Sequence, residues 1–194
     1  SHLGLERVAP SREFLDAIIE RHQVRVPFET LSKLIDSERL RRDDEWLPDM
    51  RTWIERIVGR GAGGTCWTMA RGLRWLLTEL GFDAQLIYMD RGHLCVHVQL
   101  DRAYYADVGY AAPLFRAYPI DEAFVVDADN ERFEYAPRGD GFVDVRRAPG
   151  PDKVLDVRPR TLGEFDAEIR RANEWHEESF LTRLVVFTLS LIHI

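Results

Sequence analysis

Over residues 1–81 the apolar positions fall three or four apart, the period of helices buried along one face. Pro10-Ser11 opens a segment with Phe14, Leu15, Ile18, Ile19 and His22 on one side, and Pro27 closes it. A second helix is predicted after Pro48-Asp49, with Met50, Trp53, Ile54, Ile57 and Val58 inward and Gly59 as its stop. A third runs from about Thr65 to Leu80. Its stripe is Met69, Leu73, Leu76, Leu77 and Leu80, and Gly81 follows its last turn.

The pattern then switches to period two. Phe82–Asp90, Leu94–Leu100, Ala103–Val108, Ala123–Asp127, Glu131–Ala136, Phe142–Arg147 and Lys153–Asp156 are predicted strands. Asp101-Arg102 and Asp129-Asn130 are predicted turns. Short strands joined by tight turns predict a small antiparallel barrel or a strongly curved sheet. A helix resumes at Thr161, where Thr161-Leu162-Gly163-Glu164 spells a capping box ahead of Phe165 and Ile169. Leu184–Ile194 is an apolar run. It reads as a strand whose partners lie beyond the end, as a foreign tail, or as a segment that packs back on its own domain. An unpaired strand edge tends to find another chain, so a homo-oligomer with this run at or near the contact is expected.

Composition narrows the picture. The chain has 194 residues, 45% hydrophobic and 30% charged, enough for one sizeable domain or two small ones. A net charge of −7 argues against a nucleic-acid surface, which needs a basic face. No apolar run approaches the ~20 residues that span a bilayer, so no membrane partner is expected. Ser1-His2-Leu3-Gly4 carries no apolar leader, and Ser1-His2 reads as an expression scar. Two cysteines, Cys66 and Cys95, imply no disulfide framework and fit a reducing cytoplasm.

The candidate chemistry begins at Cys66. The run Arg60-Gly61-Ala62-Gly63-Gly64-Thr65-Cys66 leads a glycine-rich turn into a helix start. Orphan N–H groups and the macrodipole favour a thiolate at such a position, and the thiolate is the nucleophilic form. The turn lacks the Lys-Ser/Thr ending of a phosphate loop. Cys95, mid-strand among apolar neighbours, reads as a packed thiol. His93 and His97 share strand parity, and either offers an imidazole. Asp107 lies in the apolar context Tyr104-Tyr105-Ala106-Asp107-Val108, where a carboxylate needs a partner. Cysteine, histidine and aspartate make a nucleophile, its base and the orienter of that base.

Val26-Pro27-Phe28-Glu29-Thr30-Leu31, Gly63-Gly64-Thr65-Cys66, His93 ahead of a strand, and Asp107-Val108-Gly109-Tyr110 follow one another in an order that resembles the arylamine N-acetyltransferase family. The resemblance runs from about Leu5 to Phe187. It implies an α+β fold with a cysteine-protease/transglutaminase-like core: a helical bundle over 1–81 carrying the nucleophile, a small antiparallel β-barrel over 82–158 carrying histidine and aspartate, and a partial α/β lid over 159–194. It implies ping-pong transfer of an acetyl group from acetyl-CoA, the cosubstrate, to an arylamine or hydrazine, with no metal. Cys66 becomes the nucleophile, His93 the base in preference to His97, and Asp107 the orienter. Arg60, Glu29, Gly63 and Gly64 support the site, and Phe28 and Tyr110 bind substrate. As plain surface residues, Arg60 and Glu29 would form an ion pair worth ~0–1 kcal/mol.

Two features depart from the family pattern. Cys66-Trp67-Thr68 stands where Cys-Phe-Glu is familiar, and the chain stops where the third domain would form. The same residues also suit an amide synthase that releases a carrier-bound acyl chain, a Cys-His-Asp hydrolase, or an inactive scaffold.

Overall fold

The computed structural model describes residues 2–43, 46–110, 114–128, 131–174 and 187–188. Helix α1 spans Arg12–Arg25. The Ser11 hydroxyl accepts the Phe14 N–H at 3.1 Å, satisfying an orphan donor of the first turn. The predicted stripe Phe14, Leu15, Ile18, Ile19 and His22 is buried. After a two-residue strand β1, Phe28–Glu29, comes helix α2, Leu31–Asp43, which periodicity does not reveal. Leu31 and Ile35 are 41% and 80% exposed, so the start of α2 has no core stripe to detect.

Helix α3 covers Met50–Arg60, with Asp49 capping the Thr52 N–H at 2.9 Å. Two expectations are corrected here. The helix passes through Gly59 and ends against Gly61, whose φ of 61° supplies the left-handed cap. Val58 is 59% exposed and faces outward. Helix α4 is Cys66–Glu79, so Cys66 is its first residue, and Gly81 takes the positive φ after it.

The strands are β2 Asp83–Met89, β3 His93–Gln99, β4 Ala103–Ala106, β5 Tyr118–Pro119, β6 Phe124–Ala128, β7 Glu131–Pro137, β8 Phe142–Ala148 and β9 Lys153–Arg160. All pairings are antiparallel, in the order β5-β4-β3-β2-β9-β8-β7-β6. The sheet curls into a nearly closed barrel. Across the seam between its first and last strands, Tyr118 stacks on Phe124 with centroids 4.4 Å apart. The predicted turn at Asp129-Asn130 lies outside the described residues.

A capping box at Thr161, with its N–H donated to Glu164 at 2.7 Å, starts a 3-10 turn over Leu162–Phe165 that continues into α5, Asp166–Asn173. Strand β10, Phe187–Thr188, pairs with β1 of the same chain. The two described residues of the apolar run thus have a partner within this chain. The rest of that run lies outside the described residues. Among the described residues no helix is long and apolar enough to cross a membrane.

Both faces of β3 are buried, and this gives two cores. Leu94, Val96 and Val98 pack with Ala84 and Leu86 of β2 against α1, α3 and α4. Cys95 turns the other way, into the barrel, with Ile87, Met89, Tyr105, Tyr135 and Leu155. Alternation along β3 therefore sends His93 to the barrel side, at the end of the strand nearest the start of α4.

His22 is the odd member of the helical core. It is buried, and neither ring nitrogen has a hydrogen-bond partner. Burial, reinforced by the charge of His2, holds its pKa down near about 4 against 6.5 when exposed. The neutral form is the folded form, so its share of stability is complete above pH 6.5 and is lost as pH falls through about 4. His22→Leu is expected to flatten the fall in melting temperature between pH 7 and pH 4.5, which thermal melts of both proteins across that range would measure. An unchanged slope would show that the imidazole is partnered.

Candidate active site

The turn before Cys66 is clamped at a single residue. The Gly63 N–H donates to Glu29 Oε1 at 3.1 Å, and the Gly63 carbonyl accepts the Trp53 indole N–H at 3.0 Å. On the other side the Glu29 N–H donates to the Gly64 carbonyl at 3.0 Å, forming a parallel bridge between Phe28 and Gly64. A Cβ at Gly63 would sit 1.7 Å from the Pro27 carbonyl oxygen, so no other residue fits without moving the backbone. Glu29 is buried, and its second oxygen accepts the Ser32 N–H at 2.8 Å. This corrects the surface ion-pair expectation: the carboxylate is spent on backbone. Arg60 is exposed and forms no ion pair among the described residues; with Glu29 and Gly61 it lines an open cavity of about 260 Å³. Thr68, the departure from the family pattern, is buried beneath Gly64, whose Cβ would lie 3.1 Å from that of Thr68.

Cys66 is 6% exposed, and its Sγ lies 3.6 Å from the Gly92 carbonyl. His93, the next residue, opens β3, close enough to the Cys66 side chain for that thiol to raise the imidazole pKa. Its Nε2 lies 2.5 Å from Asp107 Oδ2, which leaves Nδ1 for the sulfur. Burial pulls the imidazole pKa down, but the Asp107 charge and hydrogen bond, with the Cys66 contact, outweigh it and hold the pKa near about 9. His97 is four residues along the strand, roughly 13 Å away. It is half-buried opposite Gln85 and Tyr105, with Nδ1 unpartnered. The strand register thus brings His93 to Cys66 and keeps His97 away.

Strand β4 ends at Ala106, one residue before the carboxylate, so Asp107 sits on the turn leaving the sheet. Besides His93, Oδ2 accepts the Tyr105 hydroxyl at 2.7 Å, and Oδ1 accepts the Gly109 N–H at 2.8 Å. Burial pushes the Tyr105 phenol pKa well up, which keeps it a donor. Gln23 of α1 donates to the Asp107 carbonyl at 3.2 Å. A Cβ at Gly109 would lie 2.7 Å from Cys66 Cα, so this loop rests directly on the first turn of α4. The Tyr110 ring stands edge-on to the imidazole, centroids 5.1 Å apart. Phe28 is half-buried, its backbone bridged to Gly64.

Sequence reasoning missed Tyr105, Gln23, Trp53 and Gly109. The signals were faint: a tyrosine two residues before the aspartate, and Gly72 inside α4, where a Cβ would lie 2.0 Å from Trp53. Among the described residues no group of three or more His, Cys, Asp or Glu side chains could hold a metal ion.

The geometry separates the two thiols. Cys95 is fully buried, donates to the Ile87 carbonyl at 3.7 Å, and is pushed well up in pKa by burial and then by Asp107. Iodoacetamide with peptide mapping is expected to label Cys66 well before Cys95; equal labelling would contradict the placement. Gly109→Ala is expected to slow that labelling by displacing the helix start, while leaving Cys95 silent.

The family model described as N-acetyltransferase matches residues 12–190. No curated protein matches the chain. Among solved structures, the arylamine N-acetyltransferase of Mycobacterium smegmatis is similar at 20% identity and TM-score 0.75, covering 97% of this chain and 74% of that one. The Mycobacterium marinum enzyme in complex with CoA is similar at 14% identity and TM-score 0.76, covering 97% and 74%. An arylamine N-acetyltransferase of Bacillus cereus, described as having a unique Cys-His-Glu catalytic triad, is similar at 17% identity and TM-score 0.73, covering 96% and 78%. With its family match running through both the helices and the barrel, the chain belongs to the arylamine N-acetyltransferases, which are enzymes.

Proposed function

We propose that this chain transfers an acetyl group from acetyl-CoA to an arylamine or hydrazine through a thioester on Cys66. The observation that carries the reading is the convergence of Cys66 at the start of α4, against the Gly92 carbonyl, with the next residue His93, which is bonded to an Asp107 held beneath by Tyr105 and the Gly109 N–H. His93 Nδ1 takes the thiol proton. The thiolate adds to the acetyl carbonyl of acetyl-CoA, and the tetrahedral adduct expels the coenzyme thiolate, which recovers the proton from His93. The amine then attacks the thioester carbonyl, loses a proton to His93, and Cys66 leaves as thiolate. Asp107 holds Nε2 protonated, fixes the tautomer, and stabilises the imidazolium formed in each half-reaction.

The complex of the Mycobacterium marinum relative with CoA supports the donor. The carboxylate here is Asp107, where the Bacillus cereus relative is described with a glutamate. Tyr110, against the imidazole, and Phe28, whose backbone is bridged to the turn before Cys66, are taken as the substrate-binding residues. Gly63, Gly64 and Glu29 support the nucleophile, and Arg60 belongs to the same end of α3. The working division is a helical bundle over 1–81, a barrel over 82–158 and a partial lid over 159–194, in a reducing cytoplasm that keeps the thiol free.

Intact-mass measurement after incubation with acetyl-CoA is expected to show one acetyl adduct, lost in Cys66→Ser. An adduct that survives this substitution would sink the assignment. His93→Ala and Asp107→Ala are each expected to slow acetylation about 10²–10⁴-fold, with the double variant little worse than the poorer single one. A damaging His97→Ala beside a neutral His93→Ala would instead place the base elsewhere.

A further inference from the structure

Strand β9 begins with a lysine that the reaction described above does not use. Lys153 pairs with Val145 of β8, and its burial alternates in step with Leu155, so its side chain belongs to the inner face of the barrel. It is 8% exposed. Its ammonium rests over the Tyr110 ring, 5.9 Å from the centroid, and that ring stands against His93. No hydrogen bond or ion pair to Lys153 is formed among the described residues.

The neighbouring cations are differently placed. Arg147, also over Tyr110, is paired with Glu131. Lys33, within electrostatic reach of Cys66, donates to the Ala172 carbonyl at 2.6 Å. The carboxylates that act on Lys153 are already spent. Asp90 Oδ1 accepts the Val154 N–H at 2.7 Å, and Asp107 is fully engaged. Burial and then the Arg147 charge press the ammonium towards losing its proton, while Cys66, Asp90 and Asp107 oppose that. A lysine this enclosed, with no anion bonded to its ammonium, costs stability, and evolution has cheap apolar replacements for it. The ammonium is within electrostatic reach of Cys66 and over the ring that stands against His93, where an anion carried by the substrate would complete it.

We propose that Lys153 is the specificity-determining cation of the site, binding a carboxylate carried by the substrate that reacts at Cys66. The inference rests on the acyl-transfer reading. The carboxylate has two possible sources, an aromatic amine bearing an acid group or an acyl donor derived from a dicarboxylic acid. The ammonium recognises both by the same charge-assisted hydrogen bond.

The first test needs no turnover. Iodoacetate and iodoacetamide alkylate the same sulfur by displacing iodide and differ in charge. The iodoacetate-to-iodoacetamide rate ratio at Cys66 is expected to exceed that of glutathione by roughly tenfold or more, to fall towards it in Lys153→Met, and to be restored in Lys153→Arg. A ratio equal in wild type and Lys153→Met overturns the proposal. Should Lys153→Met fail to fold, the unaltered protein decides: benzoate is expected to protect Cys66 from iodoacetamide better than benzamide does, and equal protection overturns the idea.

The sources separate in the two half-reactions. The kcat/KM ratio of 4-aminobenzoate to 4-aminobenzamide reads the acceptor, and the acylation-rate ratio of succinyl- to butyryl-coenzyme A reads the donor. A roughly tenfold drop of one ratio in Lys153→Met identifies the carrier, and no drop in either refutes the inference. Absence of any acyl adduct on wild-type Cys66, from acetyl-, butyryl- or succinyl-coenzyme A, refutes the acyl-transfer reading and leaves the alkylation ratio standing. A normal adduct with unchanged ratios refutes the Lys153 assignment alone.

Discussion

A carboxylate taken out of water has to be answered by donors, and the site is arranged around that requirement at Asp107. Its donors come from separate places in the chain: His93 at the head of β3, Tyr105 on β4, and the Gly109 backbone. The Gln23 side chain of α1 adds a bond to the same residue's carbonyl. Each bond fixes a different element. Because Gly109 also lies against Cys66 Cα, satisfying the carboxylate sets the height of the loop on the first turn of α4. The distance between thiol and imidazole is thus a by-product of burying a charge. Removing one donor leaves a buried acceptor wanting and disturbs helix and barrel together.

A second device works from the opposite side. Gly63 is held at both of its backbone polar atoms, by Glu29 and by Trp53, and is wedged against the Pro27 carbonyl. The Trp53 ring in turn fits over Gly72 of α4 itself. One indole thereby joins the turn that precedes the nucleophile to the helix that carries it. Backbone contacts hold Cys66 from behind while the Asp107 loop holds it from the front, so the thiol needs little support from its own side chain's neighbours.

The parts legible in the sequence were those whose pattern is written in consecutive residues. Strands β2, β3, β6, β7 and β8 show their alternation in the chain itself, and their bounds fall within a residue or two of the expected ones. Helix α2 stayed hidden because Leu31 and Ile35 at its start face solvent, and β1 and β5 because two residues are too short for any period. The cysteine, histidine and aspartate were legible through motif order. What separates His93 from His97, however, is the register of β3 against β2. Gln23 and Trp53 could not be found at all. Each acts through one hydrogen bond to the backbone of a distant segment, and nothing in its own neighbourhood records that. Lys153 was hidden for another reason: at a strand head, a lysine looks like an ordinary solvent-facing residue until the barrel closes around it.

The pairing of β1 with β10 carries a consequence for the order of assembly. Phe28 and Glu29 lie between Gly64 on one side and Phe187-Thr188 on the other. The short strand that braces the nucleophile's turn is therefore completed by residues that emerge from the ribosome long after Cys66 does. Helices α1, α3 and α4 can collapse through contacts near in sequence, and the barrel hairpins can follow. The closure that finishes the turn joins segments far apart in sequence, and it pays its loop entropy late. Until that closure forms, the short strand beside the nucleophile's turn lacks its outer neighbour, so the last brace of the turn is also the latest to be made.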